Sequence, residues 1–387
     1  RSRRVIIMSR LNVGNLFNEN EDGAPVVSGI STFSSPHYFV PPSGTTAQRP
    51  QNPGEGMIRF NTDSGSLEYY RGTHWENIIV NNNNLGGGLN GIGTIASTQG
   101  TGHRGLFAGG LTPTIVDRID FISISTLGNA QDFGNLVAVT RLAAGCASAT
   151  RGIFAGGSSP SPTKSNKIDF VTIASTGNAS DFGNLTRSVN QFTAFSNSTR
   201  GITGGGDAGP VTDIIDYITI ASTGDAEDFG NLLAANEQLA GCSNSIRGLF
   251  AGGNDGGITN VIQYITISST GDAQDFGDLT GVRNFSGSCS NSTRGLWGGG
   301  RTPSDVNIID FVTIATTGNA QDFGDLTNAR GIVAACSSSI RAVFGGGDLV
   351  NIMDAVEILS TGNAIDFGDL QATTHSMAGC SNGHGGL

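Results

Sequence analysis

The tripeptide Asp-Phe-Gly recurs six times, opening at Asp132, Asp181, Asp228, Asp275, Asp322 and Asp366, each time inside the phrase GNAxDFGxL or GDAxDFGxL. A second phrase, RGLFAGG and its relatives, begins at Arg104, Arg151, Arg200, Arg247, Arg294 and Arg341. A third, of the form IDF, centres on Asp120, Asp169, Asp216, Gln263, Asp310 and Asp354. Six copies at a period of about 47 residues describe equivalent units that bury their apolar faces against one another. The third phrase precedes DFG by 12 residues in all six copies, and DFG precedes the following Arg by 19 whenever one follows. From Arg to the third phrase the spacing runs 16, 18, 16, 16, 16 and 13, so every change of length falls in one connection after the glycines. That is a fixed framework with one variable loop per unit.

Within the third phrase, apolar and polar residues alternate, as in Phe170, Val171, Thr172, Ile173 and again in Tyr217, Ile218, Thr219, Ile220. Period two means a strand with one buried face. The segments before and after each Arg, such as Ile332 to Ser337 and Arg341 to Gly346, also read as strands, and DFGxL supplies a short fourth. With Gly at 59 of 387 residues and charged residues at only 14%, few long helices can form. Four short strands per unit predict an all-β, six-bladed β-propeller, in which radial stacking leaves only short sheet edges. Thr374 to Leu387 copies the first strand of a unit and stops, whereas the first unit lacks that strand before Arg104. The C-terminal strand is therefore expected to close the first blade.

In its order of small apolar strand, RGLFAGG, variable loop, IDFVTIASTG and DFGDL, the repeat resembles the kelch motif, with Phe323 and its equivalents standing where that family usually carries Trp. The resemblance covers residues 94–387 and implies a kelch-like propeller. Residues 81–91, NNNNLGGGLNG, are low in complexity and read as a linker. Before it, Gly44 to Ile78 reads as a small β-meander with strands at Met57 to Asn61, Leu67 to Tyr70 and Trp75 to Ile79. The expected organisation is an extended arm at 1–43, the meander at 44–80, a linker at 81–93 and the propeller at 94–387. The phrases GTTAQRP, GMIRFNTDSG, LEYY and GTHW resemble a short module of virion structural proteins and tail fibres of marine bacteriophages. That resemblance implies a virion component on the tail or capsid surface, attached to other virion proteins through residues Met8 to Pro42. By analogy with fibres it also implies a homo-oligomer, a trimer.

A net charge of −11, with Lys and Arg scattered singly outside the opening RSRR, argues against nucleic-acid binding. The apolar run Val5 to Met8 is too short for a secretory segment, and no stretch is long enough to insert in a membrane. Arg1 is not a start residue and Met8 opens a reading frame, so residues 1–7 are expected to be an upstream extension or a processing product.

Cys146, Cys242, Cys289, Cys336 and Cys380 all stand five residues before the Arg position, with Phe195 there in the remaining copy. Repetition at one packing position, without a CxxC pair, favours free structural thiols over metal or redox chemistry. The five histidines show no metal-ligand spacing, although closure brings His103 near His384; a pair of turn histidines is the simpler account. A kinase role for DFG fails without an HRD loop and a lysine partner, leaving the Phe as core and the Asp as a turn cap. The repeated Arg and Asp are expected to form a symmetric ladder rather than an acid and base pair for glycoside chemistry. Trp297 is expected in the core. No catalytic residue, metal or cofactor is assigned.

Recognition is instead expected on the variable loops at Leu111 to Arg118, Ser158 to Lys167, Asp207 to Ile214, Asn254 to Val261, Arg301 to Asn307 and Asp348 to Asn351. Thr112, Ser161, Lys164, Asp207, Asn254, Asp255, Arg301 and Asp305 offer polar groups there for a host-surface glycan or protein, against the alternative of solvated loop drift. The function expected is that of a phage structural fibre. A propeller enzyme acting on carbohydrate and a cellular kelch-like scaffold are the competing readings.

Overall fold

The computed structural model describes residues 42–63, 66–77, 103–160 and 163–387. The expected arm, apart from its last two residues, and the linker at 81–93 lie outside them. The chain divides between Asn81 and Asn82 into two units. Both are built from strands, and the single helical element among the described residues is a 3-10 turn at Thr46–Gln48.

In the first unit four strands, β1 (Ser43–Gly44), β2 (Ile58–Asn61), β3 (Ser66–Tyr70) and β4 (Trp75–Asn77), form one sheet in that order. The expected meander is corrected in one respect: β1 runs parallel to β2, placing Ser43 opposite Phe60. Glu68 is wholly buried at its centre, bonded by Arg49 and by Asn61 Nδ2 at 3.1 Å, with Arg59 at 3.5 Å. The bond from Arg49 holds its carboxyl below the ordinary value against the opposing effect of burial.

The second unit holds six four-stranded antiparallel sheets, one per repeat. Sheet 2, for example, runs from an innermost strand Ala144–Ala147 through Arg151–Ala155 and Lys167–Thr172 to an outermost strand Ser180–Asn184. Sheet 1 takes its innermost strand, Ala378–Ser381, from the far end of the sequence, and Cys380 pairs with Leu106. The innermost strands neighbour one another in the cyclic order 1-2-3-4-5-6-1. The core lies between sheets: Leu249, Ala251 and Phe276 of sheet 4 bury against Trp297, Val312 and Ile314 of sheet 5. Trp297 is fully buried and donates its indole N–H to Ala240 O at 3.2 Å.

Three sets of bonds join neighbouring sheets, the first at five of the six junctions because Ala147 replaces the serine in sheet 2, and they explain the repeated phrases. Nearest the axis, the hydroxyls of Ser196, Ser243, Ser290, Ser337 and Ser381 each donate to a carbonyl of the preceding sheet at 2.6–2.7 Å. Further out, each repeated Arg donates to a carbonyl of the following sheet, from Arg104 to Ile173 O at 2.9 Å round to Arg341 to Ile124 O at 3.1 Å. Five of these guanidiniums also lie over a ring of their own sheet, such as Tyr217 beneath Arg200 at 4.5 Å. The expected ladder of Arg with Asp is therefore absent at these positions: carbonyls and aromatic faces take five guanidiniums, and the sixth, Arg341, also pairs with Glu357 at 2.8 Å.

At the periphery, the Gly and Ala of each GNA or GDA donate their N–H groups to the outermost strand of the preceding sheet, as Gly177 does to Phe133 O at 2.7 Å and Ala179 to Asn135 O at 2.8 Å. The Asn or Asp between them accepts from the same strand's last N–H, at 2.9–3.1 Å in all six copies. Each outer edge is thus covered by the next repeat, which removes the template an unpaired strand would offer. The Gly of DFG is required by this lacing. Its φ lies between +140° and +152°, and a Cβ there would come within 2.3–2.6 Å of the next repeat's glycine carbonyl oxygen. The Asp of DFG lies exposed on the outermost strand rather than in a turn, and Asp366 Oδ1 accepts from Gly368 N–H at 3.2 Å.

The Asp of the third strand is buried. Asp120, Asp216, Asp310 and Asp354 are paired by Arg118, Arg187, Arg283 and Arg330, none of which is a repeated Arg. Where no such Arg is present, the residue is the neutral Gln263, or the half-buried Asp169, which accepts from Val137 N–H at 3.0 Å. Burial pushes the carboxyls of Asp120, Asp169 and Asp216 up and the guanidiniums of Arg187 and Arg283 down.

Candidate functional site

Strand direction alternates within each sheet, so the variable loops and the connections leading into the innermost strands meet at one end of the axis. Bridges record this: Arg141 with Ser158, Asn190 with Asp207, Glu237 with Asn254, Asn284 with Arg301, and Leu111 with His375. Seven of the eight expected recognition residues lie on this rim, and Ser161 lies outside the described residues. Several are occupied with one another. Lys164 pairs with Asp207 across two sheets, and Arg301 holds Asp305 at 2.8 Å and Asp348 of the next sheet at 2.5 Å. Thr112 donates to Thr114 O at 3.0 Å, and Asn254 accepts from Gly256 N–H at 3.3 Å. Asp255 is the exposed carboxylate at its loop tip. Against the upward effect of burial, Lys164 holds the Asp207 carboxyl below its ordinary value; burial, then the Asp207 charge, raises that of Glu237.

Inside this rim is a feature that periodicity does not reveal. Leu142, Gln191, Gln238, Phe285, Ile332 and Ser376, one per repeat, all adopt φ between +54° and +61°. For non-glycine residues this costs roughly 1–2 kcal/mol each. Main-chain bonds offset it: Leu142 N–H donates to Ser376 O, Gln191 to Leu142, Gln238 to Gln191, Phe285 to Gln238 and Ile332 to Phe285, at 2.7–3.2 Å. Side chains add an amide ladder, Asn284 Nδ2 to Gln238 Oε1 and Gln238 Nε2 to Gln191 Oε1, both at 2.7 Å. Strained backbone held by its surroundings is characteristic of sites that do something.

This ring surrounds the opening of an axial pit with three successive cavities. The first, of about 90 Å³, lies among the strained residues with Phe192, Leu239 and Met377. The second, of about 110 Å³, is walled by the small residues Gly145, Ala194, Gly241, Ser288, Ala335 and Gly379. The third, of about 50 Å³, shares that wall and adds the serines and His384. In an antiparallel ladder only alternate residues bond to the partner strand. Ala147 turns both its N–H and its carbonyl to Ser196 Oγ, so its alternate, Gly145, likewise faces away from the neighbouring strand of its sheet.

Residues 382–387 cross the far end of the pit. Asn382 Oδ1 accepts from Arg104 N–H at 2.7 Å in sheet 1, Gly385 N–H donates to Ser290 O at 2.9 Å in sheet 5, and His384 Nε2 donates to Ala147 O at 2.8 Å in sheet 2. His384 Nδ1 accepts from Gly386 N–H at 3.1 Å, so its two partners assign the neutral Nε2–H tautomer. Burial holds its pKa below the ordinary imidazole value, and among the described residues no carboxylate lines its cavity. Because the folded state prefers neutral His384, its contribution is complete above the ordinary value near 6.5 and is lost as pH falls below it. Protection of the Gly385 and Gly386 amides against hydrogen exchange, relative to the intrinsic rate at each pH, is expected to fall on acidification through that window in the wild type but not in His384→Gln, whose amide keeps both bonds. The same pH dependence in both proteins would refute the assignment.

The cysteines stand on the innermost strands with their sulfurs directed at the next sheet. A Cβ on Gly105, Gly201 or Gly295, each next to a repeated Arg, would come within 2.3–2.9 Å of the sulfur of Cys336, Cys146 or Cys242. All five are free and buried, and burial pushes Cys146 up to about 12 and the others upward as well. Thiols so placed are poor nucleophiles at neutral pH. Among the described residues no group of three or more His, Cys, Asp or Glu is placed to hold a metal, and no helix is long and apolar enough to cross a membrane.

No protein-family model matches this chain, and no curated protein matches it either. The rim and the pit therefore carry the functional argument. Sequence reasoning found the rim through its variable lengths, but it missed the pit, whose walls are backbone and small side chains. The one signal available was the residue two positions before each innermost strand, which is never Gly although its backbone is left-handed.

Proposed function

We propose that this chain is a bacteriophage virion structural protein whose second unit is a six-bladed, kelch-like propeller that binds a host-surface glycan or protein through its variable-loop rim. One observation carries the recognition part: the only segments of the repeat free to vary in length gather at one end, around the opening of an axial pit. The cyclic order of the innermost strands and the pairing of Ala378–Ser381 with Arg104–Ala108 support six blades closed by the last strand. Attachment through the N-terminal residues, and a trimer, follow from the likeness of GTTAQRP, GMIRFNTDSG and LEYY to phage fibre modules. An enzyme acting on carbohydrate asks for acids, bases or tyrosines in the pit. Among the described residues its walls hold His384 alone of the histidines and no carboxylate, and the phenols of Tyr217 and Tyr264 are bonded to Glu227 and Gln274. Mass spectrometry of purified particles should detect the chain at structural copy number, and its absence from intact particles would end the virion proposal. Replacing 254–258 and 301–305 with Gly and Ser should weaken adsorption at least tenfold.

A further inference from the structure

The axial pit fits a ligand class more specific than a glycan or protein surface. Among the described residues, its two outer cavities, about 90 and 110 Å³, carry no charged residue in their walls. An ammonium, carboxylate or phosphate would therefore lose its water there without a counter-charge, at a prohibitive cost. A purely apolar group is also a poor fit. The second cavity is walled by the backbone of six strands, where alternate residues turn their N–H and carbonyl groups away from their own sheets, and Thr193, Ser286 and Ser288 add hydroxyls.

At the opening, Leu142, Phe285 and Ile332 offer apolar surface on one side and the amide ladder borders the other. The ladder ends at Gln191, whose Oε1 accepts from Gln238 and whose Nε2 has no acceptor among the described residues. The inner end is closed by residues 382–387, so whatever enters must do so from the loop rim.

A neutral group with one acceptor, one donor and a methyl meets all of these conditions. Its four heavy atoms are few enough to enter one of these cavities, each of which has room for about three water-sized units at roughly 30 Å³ apiece. We infer that the pit is a subsite for an acetamido group, as carried by an N-acetylated amino sugar. The carbonyl oxygen accepts from Gln191 Nε2, and the methyl lies among Leu142, Phe285 and Ile332. This rests on the glycan-binding form of the function proposed above.

Titration of the full chain with N-acetylglucosamine, glucosamine and glucose, followed by saturation-transfer NMR and calorimetry, tests it. N-acetylglucosamine should bind at least tenfold more tightly than either of the others, with the strongest transfer at its methyl protons. Ala143→Leu, at a residue that lines both outer cavities, should abolish that preference, whereas Asp132→Ser, exposed on the outermost strand of the first sheet, should leave it intact. Should Ala143→Leu prove unfolded by its melting transition, Gln191→Met serves in its place and should cost at least fivefold. Equal binding of the three sugars, no binding of any, or an unchanged preference in a folded pit variant overturns the inference. Selective binding by a chain absent from particles would remove the virion reading and leave the subsite standing.

Discussion

Replacing Arg330 with Met is expected to destabilise the repeat unit by about 3–5 kcal/mol, because it strands a carboxylate that water cannot reach. Asp354 is fully buried, its Oδ2 receives Arg330 Nη1 at 2.8 Å, and Arg330 also donates to Gly346 O and Phe344 O from a nearly inaccessible position. Removing one partner of such a pair costs far more than removing both. The chain contains its own neutral counterpart. In sheet 4 the equivalent residues are Asn236 and Gln263, where Asn236 Nδ2 donates to Gly252 O at 2.9 Å and Gln263 Oε1 accepts from Leu233 N–H at 2.8 Å. The double variant Arg330→Asn with Asp354→Gln should therefore recover most of the loss, to within about 1–2 kcal/mol of wild type. Equilibrium denaturation in urea measures both. A single variant as stable as wild type would show that the pair contributes nothing, and a double variant no better than the single would show that charge isolation is not the cause.

Deleting residues 374–387 is expected to abolish cooperative folding of the second unit. The deletion removes the innermost strand of sheet 1, exposes the edge of Arg104–Ala108, and takes Met377, Ala378 and Cys380 out of two apolar clusters. It also removes the hydroxyl of Ser381 that bonds to Ser337 O at 2.6 Å and all the bonds of residues 382–387. The combined loss is comparable to the whole stability of a typical domain, roughly 5–15 kcal/mol. A synthetic peptide of 374–387 should restore a melting transition in trans, since strand addition to an open edge supplies the missing ladder. A truncated chain that melts cooperatively near the wild-type temperature would show that the first sheet does not depend on this strand.

The sheets were legible in the sequence because period-two alternation and constant spacing encode strands directly. The missing first strand before Arg104, copied after Thr374, likewise pointed to the pairing that the structure contains. Contacts between sheets were harder to read. The repeated Arg and the third-phrase Asp occur together in five of the six copies, yet the Arg reaches a carbonyl of the next sheet and the Asp finds a different Arg, or none. Backbone acceptors leave no trace in side-chain identity. For the same reason the pit was invisible, and so was the need for Gly in DFG, which comes from a carbonyl one repeat away. The extra parallel strand of the first unit is only two residues long, below what alternation can register.

The pairing of Ala378–Ser381 with Arg104–Ala108 has a mechanical corollary. Ser381 sits opposite Gly105, so the point where the chain enters the first sheet and the point where it leaves are adjacent. A pull applied between these two points would load the rungs of that ladder one after another, like opening a zip, rather than all together. A pull applied to one of them alone is shared with the neighbouring sheets through the serine and arginine bonds. Tethered by a single end, the unit should withstand drag well; held by both, it should open at its first sheet at low force.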